Sequence, residues 1–371
     1  MQKTGHVVLP LHSGHTPSWL VKRMKSLANE LSSLIIEERG RKGFLRNISD
    51  PHWFQAFGCI LGFDWHSSGL TTVVTGVLKD VLRPERHGIV VAGGKGMASR
   101  NTKDEIITKG LELGVSTVRL KELQYASRIC AKVDNSAIQA GYPLYHHAFF
   151  FTEDGSWAIV QQGMNEKDGT ARRYHWLSEH VNDYVVEPHD AIVGDLKREH
   201  VLNMTATEAE ENRKTCVDLV RQDPNGLISS IRAMSPRTTL EKWTGHLLQN
   251  VDITAYEMPT DLNWKVFFDL YDIQPRSYEE LLALRGVGPA TVRALALVSQ
   301  LVYGKPASWK DPVKFSFAHG GKDGVPFPVD RATMERTTEY LKGIVQGAEM
   351  ERSLKIDALK RLCWLSREWG L

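Results

Sequence analysis

Polar side chains that can transfer protons gather at one end of a predicted β-hairpin. Two apolar runs within residues 144–164 flank the pair at 154–155, an Asp-Gly dipeptide that favours a two-residue turn. Because the turn fixes the register of the two strands, His147 should pair with Gln162. The polar residues then lie together at the end of the hairpin far from the turn, an arrangement that suggests a site.

Successive residues of a strand point to opposite faces, so His146 and His147 should not share one site. We favour His147 as the catalytic residue, with Gln162 beside it. The polar segment just upstream adds Lys132 and Asp134, a cation and a carboxylate. Each histidine could instead be a hydrogen-bonded residue at a domain edge, and Asp134 could equally be a turn or capping residue.

The chemistry that these residue types favour is hydrolysis of a phosphodiester. This reaction needs a group that activates water and positive charge near the phosphate, commonly Mg²⁺ or Mn²⁺ held by carboxylates. Arg172 and Arg173 follow the hairpin and could bind the phosphate. The candidate metal ligands are Asp64, His66, Asp134 and His147, although the spacing of these residues matches no metal motif.

A glycine-rich segment forms a second candidate phosphate site. A β-branched run at 88–91 leads into Gly93, Gly94 and Lys95, and a predicted helix follows. A strand, a glycine loop and a helix in this order bind phosphate through backbone N–H groups. The segment matches neither the P-loop nor the dinucleotide-binding pattern. Free nucleotides are therefore one candidate substrate, and a flexible connection is the alternative interpretation.

Residues 278–303 predict two helices joined by a tight turn. A capping box precedes the first helix, which we expect to end at Arg285. Gly286 and Gly288 can adopt positive φ in the turn, and Pro289 occupies the expected first position of the second helix.

The turn and the start of the second helix could bind one backbone phosphate. The free N–H groups between Gly286 and Ala290, including that of Gly288, would point at the phosphate, and the helix dipole would favour its charge. Arg293 could add a cation. Such a contact carries no sequence information. An ordinary corner between two helices is the alternative interpretation.

This stretch resembles the helix-hairpin-helix motif, LxGVGxxT, of DNA repair enzymes. Residues 281–331 are also similar to base-excision glycosylases, and the resemblance implies that Asp330 of a Pro-Val-Asp segment is the catalytic aspartate. An insert makes the separation longer than in those enzymes, and their hairpin lysine falls on Ala290. Asp330 could also be a helix N-cap. Lys322 in the insert could hold a phosphate, or belong to a flexible glycine loop.

Several segments together resemble the family of unknown function numbered 763, over nearly the whole chain. The resemblance implies a prokaryotic protein and, through the helix-hairpin-helix, DNA as the partner. The segments are AGGKG, KVDNSAIQAGYPLYHH, WAIVQQGMN, ARRYHW and FAHGGKDGVPFPVDR.

Length and composition predict two domains of an α+β protein. The chain has 371 residues, of which 42% are hydrophobic, enough for more than one core. We expect residues 1–204 to form an α+β domain with an antiparallel, hairpin-containing sheet. Residues 205–371 should form an all-α domain that carries the helix-hairpin-helix.

Charge and cysteine content restrict the possible partners and compartment. The net charge is only +2, so any affinity for nucleic acid must come from a local basic patch. The 4 cysteines are far apart and form no CxxC pair, which predicts a reducing cytoplasm. No apolar run reaches the roughly 18 residues of a membrane span, so we expect no membrane partner. The sequence leaves the oligomeric state open.

A metal-dependent DNA nuclease is the function that these features favour. Three alternatives stay open: a base-excision glycosylase that uses Asp330, a hydrolase of free nucleotides, and a DNA-binding protein without catalytic activity.

Overall fold

A five-stranded antiparallel sheet lies at the centre of the chain. The structure is a computed structural model that describes residues 18–63, 69–194, 196–234, 257–313 and 331–368. The strands are β1 (Ile89–Lys95), β2 (Ile138–Gln139), β3 (Leu144–Thr152), β4 (Trp157–Asn165), β5 (Thr170–Leu177), β6 (Ala191–Gly194) and β7 (Leu202–Asn203). The large sheet has the order β1-β3-β4-β5-β6, and β2 pairs with β7 in a second, two-stranded sheet.

Helices supply the rest of the regular structure in the described ranges. They are α1 (Ser18–Ser49), α2 (Pro51–Leu61), α3 (Gly69–Val81), α4 (Pro84–His87), α5 (Met97–Arg100), α6 (Thr102–Glu112), α7 (Thr117–Lys132), α8 (Glu210–Val220), α9 (Pro224–Ala233), α10 (Lys265–Ile273), α11 (Tyr278–Ala283), α12 (Pro289–Tyr303), α13 (Arg331–Gly347) and α14 (Arg352–Glu368). The mixture of helices with an antiparallel sheet agrees with the predicted fold class. None of the described helices has the length and apolar character needed to cross a bilayer.

Helices cover both faces of the large sheet. Alternate residues of β3 enter two separate cores: Phe149 and Phe151 enter one, and Ala148 and Phe150 enter the other. The first core is shared with α6 to α12, and the second with α1 to α3, α13 and α14. Strands buried on both faces read as continuous apolar runs, which explains why the hairpin sequence is apolar on both sides.

Each core draws residues from both sides of the predicted domain boundary at 204–205. The first contains Phe149 and Leu295, and the second contains Phe54 and Leu341. The division into two domains stays a prediction.

The predicted hairpin is formed by β3 and β4, but its register differs from the prediction by one residue. His147 lies opposite Gln161, and His146 lies opposite Gln162. The prediction of His147 opposite Gln162 was therefore wrong, and the residue opposite His147 is Gln161, one position earlier in the strand.

The cause is a three-residue loop in place of the expected two-residue turn. The amide of Thr152 donates to the carbonyl of Ser156 (3.0 Å), which closes the loop around residues 153–155. The Asp154 carboxylate accepts from the Thr152 hydroxyl (2.6 Å) and from the Ser156 amide (3.0 Å). Gly155 takes a φ of 82°, the left-handed position that ends such a loop.

Two helices meet at a glycine turn, which we define as residues 284–288. The Ser277 hydroxyl caps α11 by accepting from the Glu280 amide (3.1 Å), as predicted. The helix ends at Ala283 rather than at Arg285, so the turn is longer than expected. Gly286 has a φ of 91°, and α12 begins at Pro289.

Candidate functional site

A cleft of about 500 Å³ opens between α7, the end of β3, the segment after β1 and the glycine turn. Val287 and Gly288 of the turn lie on one side of it. The structure therefore brings the turn, Lys132 and His147 together, although they lie far apart in sequence. The polar lining that matters most is Arg100, Lys103, Ser127, Arg128, Lys132 and His147.

The cleft is cationic. Arg100, Lys103, Arg128 and Lys132 contribute positive charge, and none of the described lining residues is a carboxylate. Arg100, Lys103 and Arg128 are exposed, whereas Lys132 is half-buried. Burial lowers the pKa of Lys132, and Arg128 lowers it further. Four cationic residues therefore lie together in a chain whose net charge is only +2.

Burial of one side chain and hydrogen bonds from two others hold the glycine turn against the first core. Val287 is fully buried. Lys132 Nζ donates to the carbonyl oxygens of Leu284 (3.3 Å) and Val287. Gln139 Nε2 donates to the carbonyl of Pro289 (2.8 Å). Lys132, which we predicted as catalytic, therefore holds the turn in place through two of its three donors.

The N-terminus of α12 reaches the cleft through Gly288. Its N-cap residue has no side chain to satisfy the first amides, and amides such as that of Ala290 have no acceptor within the helix. Gly288 lines the cleft, and the phosphate contact of Gly288 and Ala290 stays a prediction. Arg293 is half-buried, and its guanidinium lies 5.6 Å from the centre of the Trp309 ring.

A chain of hydrogen bonds leads from the cleft into the core. Ser127 Oγ lies 2.8 Å from His147 Nε2, and His147 Nδ1 lies 2.8 Å from Gln161 Oε1. Gln161 Nε2 in turn donates to Asp134 Oδ2 at 2.5 Å. Ser127 is 4% exposed, and Asp134 is fully buried.

The carboxylate at the buried end sets the direction of every bond in this chain. Asp134 accepts from Trp176 Nε1 (3.0 Å), which can only donate, and lies 2.5 Å from His189 Nε2. Gln161 presents its NH₂ group to the carboxylate and hence its oxygen to His147. Nδ1 of His147 must then carry the proton, so Nε2 accepts and the Ser127 hydroxyl donates.

Burial controls the charge of the residues along this chain. It raises the pKa of Asp134, while His189 and the hydrogen bond from Trp176 lower it. Burial lowers the pKa of His147 to about 4, against a smaller opposing effect of the Gln161 hydrogen bond. His147 is therefore neutral at pH 7, and its Nε2 lone pair accepts the hydrogen bond from Ser127.

Asp134 occupies a π-turn, Val133–Ala137, that interrupts the end of α7. The extra residue in each turn of a π-helix changes the direction of the side chains and is common at functional sites. The sequence predicted Asp134 as a site residue, and the structure places it beneath the cleft rather than on its surface.

His146 points to the opposite side of the sheet from His147, as predicted. Its Nε2 lies 2.9 Å from Thr75 Oγ1 on α3, and burial lowers its pKa to about 3. Gln162 lies on the same strand face and donates to the Tyr145 hydroxyl. Gln162 is thus not next to His147, and the glutamine that contacts His147 is Gln161.

Asp134 and His147 do not fit the predicted role of metal ligands. Both ring nitrogens of His147 have partners, and both carboxylate oxygens of Asp134 accept hydrogen bonds. Asp64 and His66 lie outside the described residues. Among the residues that are described, no three His, Cys, Asp or Glu side chains lie close enough to hold a metal ion.

Arg172 and Arg173 lie in the interior rather than on a DNA-accessible surface. The guanidinium of Arg172 is fully buried and pairs with Asp311 at 2.6 Å. Arg173 is 6% exposed, donates to Gln55 Oε1 at 3.0 Å and lies over the Phe54 ring. Their positions remove both arginines from the set that we propose to contact a phosphate.

The glycine segment is the second half of β1 and not a free loop. Gly93 and Gly94 lie opposite Ala148 and His147, and Lys95 follows at the exposed end of the strand. The amide of Gly93 donates to Glu105 Oε2 (2.9 Å), so a carboxylate of the protein itself occupies the predicted phosphate position.

Lys79 neutralises that carboxylate with an ammonium–carboxylate distance of 2.7 Å. Gly93 is required by crowding, because a Cβ there would lie 2.2 Å from the carbonyl oxygen of His147. This glycine allows β1 to approach the strand that carries the histidine.

Two further predicted site residues, Lys322 and Asp330, also lie outside the described residues. Ser127 and His189 were not predicted as site residues. A serine within a helical pattern gives no signal by itself, and His189 lies in the loop before β6, far in sequence from its carboxylate partner.

The fold and the cleft define a mixed α and β protein in which a central antiparallel sheet and a two-helix unit enclose a cationic site. The chain belongs to the family described as Protein of unknown function (DUF763), whose model matches residues 5–329. Comparisons with curated proteins and with solved structures gave no match.

Proposed function

We propose that the cleft binds the backbone of DNA and that the chain is a DNA-acting enzyme that breaks phosphodiester bonds. The observation that carries this proposal is the position of a buried Ser127–His147 pair in a cleft with four cations and no carboxylate among its described lining residues. A polyanion is the ligand that this charge distribution favours.

The glycine turn would supply the contact that holds one phosphate in register. The N-terminus of α12 lies on the cleft wall at Gly288, where the free amides and the helix dipole favour an anion. This is the role of a helix-hairpin-helix, and the same contact predicts binding that depends little on base sequence.

The alternatives have less support. The nucleotide-hydrolase alternative depends on the loop at residues 93–100, in which the Gly93 amide already donates to Glu105. The glycosylase reading depends on Asp330, which lies outside the described residues. A DNA-binding protein without catalytic activity would leave the buried Ser127–His147 pair without a role.

Incubation of the purified protein with end-labelled single-stranded and duplex DNA tests the function. We expect strand cuts without alkali treatment, and parallel reactions with EDTA, Mg²⁺ or Mn²⁺ test the predicted metal dependence. Cuts that appear only after alkali would indicate a glycosylase. Absence of binding to any polynucleotide in dilute salt would contradict the proposal altogether.

Substitution of the exposed cations tests whether this cleft is the binding site. Arg100→Gln, Lys103→Gln and Arg128→Gln each remove one positive charge, so each should lower the salt dependence of DNA binding, log K against log [salt], by about 1. Lys360→Gln removes an exposed lysine from α14 and is the matched control. Equal slopes for all four variants would place the DNA elsewhere.

A further inference from the structure

Three hydroxyl groups contact a histidine ring nitrogen in the part of the chain described, and they differ in the atom that accepts the hydrogen bond from the hydroxyl. Ser33 lies 3.2 Å from His87 Nε2, but its hydroxyl donates to the carbonyl of Asn29 at 2.8 Å. A hydroxyl has one proton, so Ser33 cannot also donate to its histidine.

The same reasoning applies to the second pair. Thr75 Oγ1 donates to the carbonyl of Thr71 at 2.8 Å, so His146 Nε2 must be the donor in their contact. Neither His87 nor His146 can act as a base toward its hydroxyl partner.

Ser127 is the exception. Among the described residues its hydroxyl contacts His147 alone, and the order of bonds from Asp134 through Gln161 makes His147 Nε2 the acceptor. A hydroxyl that donates to a neutral imidazole, whose other nitrogen is fixed by an acceptor, is the arrangement of an activated nucleophile.

The surroundings of Ser127 suit attack on a phosphate. It lines the cleft together with Arg128, Ala131 and Lys132 of the same helix, so two cations lie within about a turn and a half of the hydroxyl. Positive charge that lines the same cleft stabilises the negative charge that accumulates on phosphoryl oxygens during substitution.

We propose that Ser127 is the nucleophile of this cleft and His147 its general base, with Gln161 and Asp134 as positioning residues. This inference rests on the proposed function and names its chemical route. Strand cleavage would pass through a covalent intermediate in which the DNA end is esterified to the serine.

The reaction balances with water as the only co-substrate. Ser127 Oγ forms a bond to phosphorus while its proton moves to His147 Nε2, and the phosphorus–oxygen bond to the leaving sugar breaks. His147 returns the proton to that sugar oxygen. Water then attacks phosphorus, His147 accepts the proton of the water, and Ser127 leaves and recovers a proton.

Labelling with a fluorophosphonate, followed by peptide mass spectrometry, tests the nucleophile without any DNA. The serine oxygen forms a bond to phosphorus, the phosphorus–fluorine bond breaks, and fluoride leaves. We expect the label on Ser127 of the wild-type protein, none at that position in Ser127→Ala, and at least tenfold slower labelling in His147→Gln.

Ser33→Ala is the matched control, because it removes a serine hydroxyl from a serine–histidine contact on the other side of the sheet. It should be labelled at Ser127 like the wild type. Circular dichroism and melting temperature verify that each variant is folded. A folded wild-type protein that stays unlabelled at Ser127, while a serine hydrolase reacts in the same tube, would overturn the proposal.

The DNA assay separates failure of this inference from failure of the proposed function. If the wild type cuts DNA and Ser127→Ala cuts equally fast, the nucleophile is wrong and the nuclease function stands. If Ser127 is labelled but DNA is neither bound nor cut, the nucleophile stands and DNA is the wrong substrate. Loss of cutting in Ser127→Ala, with DNA affinity within a few-fold, supports both.

Discussion

At the scale of single residues, the buried carboxylate of Asp134 determines whether the Ser127 hydroxyl donates to His147, although Asp134 does not contact Ser127 directly. While Asp134 is ionised it can only accept hydrogen bonds, and this fixes the amide of Gln161, the tautomer of His147 and the proton of Ser127. A neutral Asp134 could donate to the amide and reverse the order of bonds. The donors from Trp176 and His189 that surround the carboxylate therefore belong to the site.

The buried state of His147 predicts a loss of stability in acid. Its pKa is about 4 in the folded chain and about 6.5 when unfolded, so the unfolded state binds more protons between these values. The stabilisation is complete above about pH 6.5 and is lost as the pH falls toward 4. Between about pH 7.5 and 5.5 the unfolding free energy should fall by about 1 kcal/mol through this residue alone.

Urea unfolding of the wild type and of His147→Gln at both pH values measures this difference. The variant should lose about 1 kcal/mol less than the wild type over the interval. His200→Asn, which replaces an exposed histidine at a φ of 54°, is the control for removal of a histidine from the surface. Identical pH dependence in the wild type and His147→Gln would mean that His147 is not buried in its neutral form.

The sequence predicted part of this site and missed part of it for identifiable reasons. Asp134 and His147 were recognisable because a carboxylate and a histidine stand next to apolar runs. The sequence predicted Gln162 in place of Gln161, because one extra residue in the loop moves every side chain of the following strand to the other face of the sheet. Ser127 could not be identified, since its role depends on a contact across twenty residues that no local pattern encodes.

At the scale of elements, the glycine turn is the part of the cleft whose geometry depends most on residue type. Gly286 has a φ of 91°, and an added Cβ would lie 2.8 Å from Val266 Cγ2. Gly288 has an extended backbone, and an added Cβ would meet nothing within 4 Å. The two glycines therefore differ in what they contribute, although the sequence treats them alike.

Gly286→Ala should lower the unfolding free energy by roughly 1–3 kcal/mol, because both the backbone conformation and the contact with Val266 oppose a side chain. Gly288→Ala should leave the melting temperature unchanged. Where Gly286→Ala is folded, its DNA binding should be weaker and less dependent on salt. Gly76→Ala in α3, with open space for the added methyl, is the control for both measurements.

Equal melting temperatures for Gly286→Ala and Gly288→Ala would contradict the strain argument, whereas unchanged DNA affinity in Gly286→Ala would contradict the phosphate contact. The positive φ of Gly286 and the start of the second helix at Pro289 were predicted, because these residues encode local backbone geometry, whereas the positive φ of Gly288 and the helix end at Arg285 were wrong. The position of the glycine turn over Lys132 was not predicted, because that contact joins residues more than 150 positions apart.

At the scale of the whole molecule, a buried ion pair joins two segments that are distant in sequence. Arg172 on β5 pairs with Asp311 beyond α12, and both side chains are fully buried. Asp311 also accepts from the amide of Arg198 at 2.7 Å. Since the carboxylate holds two segments against the sheet, the pair fixes the position of the chain that follows the two-helix unit.

Arg172→Met separates this structural role from the DNA contact that the sequence suggested. It leaves the buried Asp311 without its cation, which should lower the unfolding free energy by about 3–5 kcal/mol in urea. Lys214→Met, which breaks an exposed pair with Glu210, is the matched control and should unfold like the wild type.

Where Arg172→Met remains folded, the salt dependence of its DNA binding should equal that of the wild type, because the guanidinium does not reach the cleft. A lower slope with unchanged stability would instead return Arg172 to the binding surface. It would also mean that the interior on one side of the sheet opens when DNA binds. The paired measurement thus decides whether the cleft of Arg100, Lys103 and Arg128 accounts for the cationic contacts of this protein.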